Sequence, residues 1–67
     1  MQIFCERLKE LRQEKNISTI ELAQVLGVNS STISRWENGI ISPSIDFLYQ
    51  LAKYFDVTAD YLIGLED

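Results

Sequence analysis

The sequence predicts an all-α fold, a compact orthogonal bundle of five short helices, on three observations. Apolar residues recur at helical spacing, first as Phe4, Leu8 and Leu11, later as Leu48, Leu51, Ala52 and Phe55. The intervals between apolar runs hold helix-end residues: Ser18, Asn29, Ser42, Ser44 and Thr58 as starts, Gly27, Gly39 and Gly64 as stops. No segment alternates like a strand, and no repeat or low-complexity tract breaks the pattern.

Taken in order, the first helix is expected over about residues 3–15, with Asn16-Ile17 breaking it. Ser18-Thr19-Ile20-Glu21 reads as a capping box, in which the Ser18 hydroxyl takes the Glu21 amide and the Glu21 carboxylate returns to the Ser18 amide. A short helix follows through Leu22, Ala23, Val25 and Leu26, and Gly27 suits the left-handed position that stops it. Asn29 is the expected N-cap of a third helix over about 30–38, closed by Gly39. Pro43, between Ser42 and Ser44, opens a fourth, with either serine able to cap. Asp56-Val57-Thr58 is a turn, and Thr58 caps a last short helix ending at Gly64.

Sixty-seven residues make one small domain, expected to span 1–67. Cys5 is the single cysteine, so no internal disulfide supplements the core. It reads as a small packing residue, with an intermolecular disulfide as the alternative. With no histidine and one thiol, no metal site and no cofactor are expected. The N-terminus reaches charge at Glu6-Arg7, unlike a signal peptide, and no apolar run approaches the roughly 20 residues needed to span a bilayer. A cytoplasmic location without membrane contact follows as the expectation. The net charge of -4 is unevenly placed: residues 1–16 carry +1, 17–42 carry -1, and 43–67 carry -4 through Asp46, Asp56, Asp60, Glu66 and Asp67 against Lys53. Net charge governs solubility and steering, so a local surface remains able to bind phosphate.

Gly27-Val28-Asn29 links the second and third helices in a tight corner, giving a helix-turn-helix over about 18–38. At about 100° per residue, Ser30, Ser31, Ser34, Arg35 and Asn38 share an arc of roughly 140°, while Ile33 and Trp36 face the other way. The arc holds small hydroxyls, one amide and one arginine, with no carboxylate, in a chain of ten acids and six bases. Short side chains let a helix approach base edges closely, and arginine can make a bidentate contact to guanine O6 and N7. A serine-rich solvated face is the plain alternative.

Leu22-Ala23, Gly27-Val28, the run from Ser31 to Gly39, and Pro43-Ser44 resemble the Cro/C1-type, phage-repressor-like (XRE) helix-turn-helix domain. The resemblance extends to Arg7–Arg12 before them and to Leu51-Ala52 and Tyr61–Gly64 after, covering nearly the whole chain. It implies a lambda-repressor-like domain whose third helix enters the major groove, commonly binding a palindrome as a dimer. Carried over by position, Ser30, Ser31 and Arg35 face bases, with Ser34 beside them. Thr19, Asn29, Asn38 and Ser42 make up the backbone-contacting set. Thr19 stands where the family commonly has a glutamine, but free amides at that helix start can still receive a phosphate oxygen. The resemblance also implies a largely buried structural salt bridge between Arg12 and Glu37.

Trp36 shares a side with Ile33 and reads as core. Tyr49, Tyr54 and Tyr61 fit core edge, dimer surface or half-exposed aromatics equally well. Ile40 and Ile41 stand where the family often has lysine or arginine, which implies either weak backbone anchoring, with amides and hydroxyls such as Ser42 replacing cationic contacts, or one isoleucine tucked into the core. An enzyme is not expected, because there is no histidine, no activated-serine constellation and no glycine-rich phosphate loop. The expected function is a sequence-specific double-stranded DNA-binding regulator, a repressor, acting as a homodimer on a palindromic operator, with no small-molecule ligand. The alternative is a helix-turn-helix scaffold serving as a protein-interaction module, antitoxin-like or adaptor, through Ile40-Ile41.

Overall fold

Residues 2–67 are described by the computed structural model, and among them five helices follow one another without a strand. They are α1 (Gln2–Glu14), α2 (Thr19–Leu26), α3 (Ser30–Glu37), α4 (Ile45–Phe55) and α5 (Ala59–Ile63). The ends follow local chemistry. Asn16 leaves α1 in the left-handed region at φ 57°, which asparagine tolerates better than most residues. The capping box forms: the Glu21 amide donates to Ser18 Oγ at 3.1 Å, and the Ser18 amide donates to Glu21 Oε1 at 3.0 Å. Gly27 takes φ 73° after α2, and the Val28 amide folds back on the Ala23 carbonyl at 3.0 Å. A Cβ at Gly27 would meet nothing within 4 Å, so the dihedral alone demands glycine there.

Ser44 rather than Ser42 caps α4, accepting from the Phe47 amide at 3.3 Å. Thr58 caps α5 through the Tyr61 amide at 2.9 Å. Boundaries differ from the sequence expectation by one residue: α1 starts and stops one earlier, and α3 ends at Glu37 with Asn38 as its cap. End turns are where hydrogen bonding frays, which explains differences of this size.

One residue from each helix forms the centre of the core: Leu8, Leu22, Ile33, Leu51 and Leu62 are all fully buried. Burying a side chain of this size contributes about 1.5–3 kcal/mol. Phe4, Trp36 and Phe55 wrap this centre, and Trp36 meets the half-buried Phe47 with ring centroids 5.6 Å apart. Helix α1 is the shared platform, packing against both α3 and α5, while α2 packs on α3 and α4 on α5. Arg7 fastens α1 to the far end of the chain, lying 4.3 Å from the Tyr61 ring centroid and donating to the carbonyls of Tyr61 and Glu66. No described helix is long and apolar enough to cross a membrane.

Candidate nucleic-acid interface

Helix α3 is held by its apolar side, with Ile33 and Trp36 buried, and this rotation turns the other side outward. The five-residue polar arc divides on folding. Ser31, Arg35 and Asn38 are exposed, whereas Ser30 and Ser34 are half-buried along its flank. Ser31 and Arg35, one helical turn apart, are therefore the open centre of the surface.

Glu37 is the one acid on α3, and the fold removes it from this surface. It is buried, and Arg12 Nε donates to its Oε2 at 2.7 Å while Arg12 Nη2 donates to Oε1 at 3.2 Å. Arg12 Nη1 also donates to the Ile17 carbonyl at 2.9 Å. One guanidinium thus joins α1, the turn before α2, and the last residue of α3. The hydrogen bond to Glu37 holds the Arg12 pKa above its ordinary value, with the Glu37 charge adding to it and burial opposing. With its charge matched, Glu37 neither draws Arg35 inward nor repels a phosphate.

The other cations are mostly engaged within the chain. Arg7, Lys15 and Lys53 lie over the rings of Tyr61, Tyr54 and Tyr49, and Arg12 is paired. That leaves Lys9 and Arg35, among the described residues, without an ion pair or aromatic partner. Arg35 is thus the open cation on the α3 surface.

The expected backbone-contacting residues are less uniform. Asn29 occupies the N-cap position with extended backbone, but its side chain makes no capping bond, correcting the expectation that it caps by its side chain. The exposed amide is free to donate elsewhere. Thr19 is half-buried at the start of α2, where the capping box already uses the Glu21 amide and places the Glu21 carboxylate close by. The capping box expected from the sequence thus occupies part of the amide set that a phosphate would use. Ser42 and Asn38 are exposed.

Ile40 and Ile41 are 68% and 44% exposed, so neither is tucked into the core. The Ile40 amide donates to the Arg35 carbonyl at 2.9 Å, which directs the chain away from α3 and leaves both side chains outside. Beyond Asn38, a groove between α1 and the end of α3 brings in the exposed Glu6 and Glu10 together with Lys9, so the acid-free surface stops there. No described group of three or more His, Cys, Asp or Glu residues could hold a metal ion.

The sequence left Tyr49 open between core edge, dimer surface and half-exposed aromatic, and the structure places it on the outer side of α4. Ile45 is 85% and Tyr49 60% exposed, and their i, i+4 spacing was the available signal.

A helix-turn-helix family model matches residues 8–62. The HTH-type transcriptional regulator AnsR of Bacillus subtilis (strain 168) is 44% identical over 61 residues, covering 91% of this chain and 53% of that protein. The uncharacterized HTH-type transcriptional regulator YobD of the same organism is 34% identical over 65 residues, covering 97% and 58%. The chain spans about half the length of the curated relatives it matches. Among solved structures, the P22 c2 repressor protein in complex with a synthetic operator matches with a TM-score of 0.85 and 31% identity, over 92% of this chain and 94% of that one.

Proposed function

The chain belongs to the helix-turn-helix family of XRE (Cro/C1) type, and we propose that residues 1–67 act as the DNA-reading domain of a transcriptional repressor. The observation that carries this reading is the α3 surface: Ser31, Arg35 and Asn38 open, Ser30 and Ser34 beside them, and the helix's one acid buried against Arg12. In this reading α3 lies in the major groove of double-stranded DNA. Arg35 reads guanine, and Ser30, Ser31 and Ser34 permit close approach and take single hydrogen bonds at base edges. Thr19, Asn29, Asn38 and Ser42 hold the sugar-phosphate backbone through amides and hydroxyls. Arg12 and Glu37 act on the DNA only by fixing where α3 sits.

Two chains on a palindromic operator in the cytoplasm complete the reading, since one α3 covers only a half-site. The P22 c2 repressor was solved with operator DNA, which supports this use of a similarly folded surface. The work done is binding rather than catalysis.

With few cations toward the DNA, the salt dependence of binding is shallow, because each neutralised phosphate adds about one unit to the slope. The test is selection of bound duplexes from a random pool at low salt. Enrichment of one short palindromic sequence is the expected result, and recovery of an unenriched pool would refute sequence-specific reading. The exposed Ile40 and Ile41 favour a second reading, a protein-interaction module, which that refuting result would leave standing.

A further inference from the structure

We infer that the Asn38-Gly39 step at the end of α3 is a site of covalent self-modification, where deamidation of Asn38 puts a negative charge on the reading surface and weakens its hold on DNA. The chemistry needs no partner; its effect on DNA rests on the reading proposed above.

Three asparagines are present, and they precede Ile17, Ser30 and Gly39. Deamidation begins when the next residue's backbone nitrogen attacks the asparagine Cγ, so whatever shields that nitrogen slows the reaction. Ile17 is β-branched, and its amide donates to the Arg12 carbonyl at 3.3 Å. Ser30 carries a Cβ and opens α3. Gly39 has no Cβ, both Asn38 and Gly39 are exposed, and the Gly39 amide reaches the Trp36 carbonyl only at 3.4 Å. The Asn38 and Ile40 amides on either side are held at 2.9 Å, so the weakest bond of this turn belongs to the reacting nitrogen. With ψ 3° at Asn38, attack requires this last turn to open briefly, and helix ends open most readily. The fold also retains the reactive pair, because φ 74° at Gly39 disfavours any residue with a side chain. Both residues line the groove between α1 and the end of α3, about 620 Å³ and open to water.

The Gly39 nitrogen bonds to Asn38 Cγ and gives up its proton as the Cγ–Nδ2 bond breaks and ammonia leaves. Water then adds to one of the two carbonyls of the resulting imide ring. The bond from that carbonyl to the ring nitrogen breaks, and the nitrogen recovers a proton. The net change is amide plus water to carboxylic acid plus ammonia. Opening at one carbonyl gives aspartate and at the other isoaspartate, and either leaves one carboxylate just past Glu37.

That carboxylate is the first acid on the open side of α3. It lies three residues from Arg35, near enough to draw the guanidinium off a base edge, and Arg35 has no ion pair within the described chain to hold it back. It also faces the phosphates that Asn38 is proposed to meet, and it opposes the negative end of the α3 dipole. Arg12 is already committed to Glu37 and does not neutralise a second acid.

Trypsin isolates the site. Cleavage after Lys15, Arg35 and Lys53 gives a peptide of residues 36–53, in which Asn38 is the sole asparagine, and one of residues 16–35, which carries Asn16 and Asn29. The 67-residue chain, kept warm at mildly alkaline pH, should show the amide-to-acid mass gain in peptide 36–53 while peptide 16–35 stays unchanged. An unmodified 36–53 peptide, or equal modification of both, overturns the inference. Asn38→Asp reproduces the product, and Asn38→Ser removes the amide without adding charge. The first should bind the duplex enriched by selection roughly tenfold more weakly than the second, with the gap narrowing as salt rises. Circular dichroism establishes that both variants are folded. Equal affinity of Asn38→Asp and Asn38→Ser overturns the inference while leaving the reading proposal intact. An unenriched pool refutes the reading and takes the DNA effect with it, whereas the peptide map, made without DNA, still decides the chemistry.

Discussion

Helices α3 and α4 are built on the same plan and present opposite surfaces. Each buries an apolar side, Ile33 and Trp36 in one and Leu51 and Phe55 in the other, and each leaves its far side open. On α3 the open side is Ser31, Arg35 and Asn38; on α4 it is Ile45 and Tyr49 flanked by Asp46 and Lys53. Packing fixes which side faces out, and composition alone then decides what that side can touch. A net charge of -4 is compatible with DNA contact because the acids are kept off one helix face.

The sharpest way to break the comparison is to loosen α3. Arg12→Ala leaves Glu37 buried and unpaired and should cost about 3–5 kcal/mol in urea unfolding. A loss under about 0.5 kcal/mol would mean that packing alone holds α3. Since the Arg12 pKa is raised, its contribution is complete below the ordinary arginine value and lost only above it. The deficit should therefore stay level between about pH 6 and 9.

Next in size is Arg35→Ala, expected to lower specific binding by about 1–3 kcal/mol and relax one base position. Melting temperature should hold, because Arg35 supports nothing in the fold. An equal loss on every sequence would make Arg35 a phosphate contact instead. Ser18→Ala, which removes one half of the capping box at the start of α2, should cost about 1 kcal/mol in thermal stability. No change in melting would show that tertiary packing orients α2 without its cap. The smallest expected effect sharpens the boundary of the reading surface. Ile40→Lys should tighten binding to all DNA alike and steepen the salt slope by about one unit. A change in the preferred sequence would place the turn among the base readers.

Much of the bundle was legible because local rules govern helix ends. Ser18 with Glu21, Gly27 and Thr58 each act through neighbours a few residues away, and such chemistry reads directly from order. The choice between Ser42 and Ser44 was not legible, because either satisfies the same local rule and only the path of the connecting turn separates them. Periodicity named the polar arc of α3 but treated its five members alike. It could not rank them, because the burial of Ser30 and Ser34 depends on how α3 is packed in the bundle. Whether one of Ile40 and Ile41 enters the core was likewise left open by the sequence, and the turn marked by the backbone bond from Ile40 to Arg35 leaves both outside.

The sequence by itself determined the class of fold, the five helices and their order, and the absence of acids from one face of the third. Those follow from short-range spacing and from residue identity, which need no knowledge of the rest of the chain. Only the tertiary structure decided that Arg12 reaches both Glu37 and Ile17, that Asn29 leaves its side chain uncommitted, and that Ser31 and Arg35 form the open centre. Each depends on where one helix lies against another, a matter of packing among Leu8, Leu22, Ile33, Leu51 and Leu62 that linear spacing does not encode.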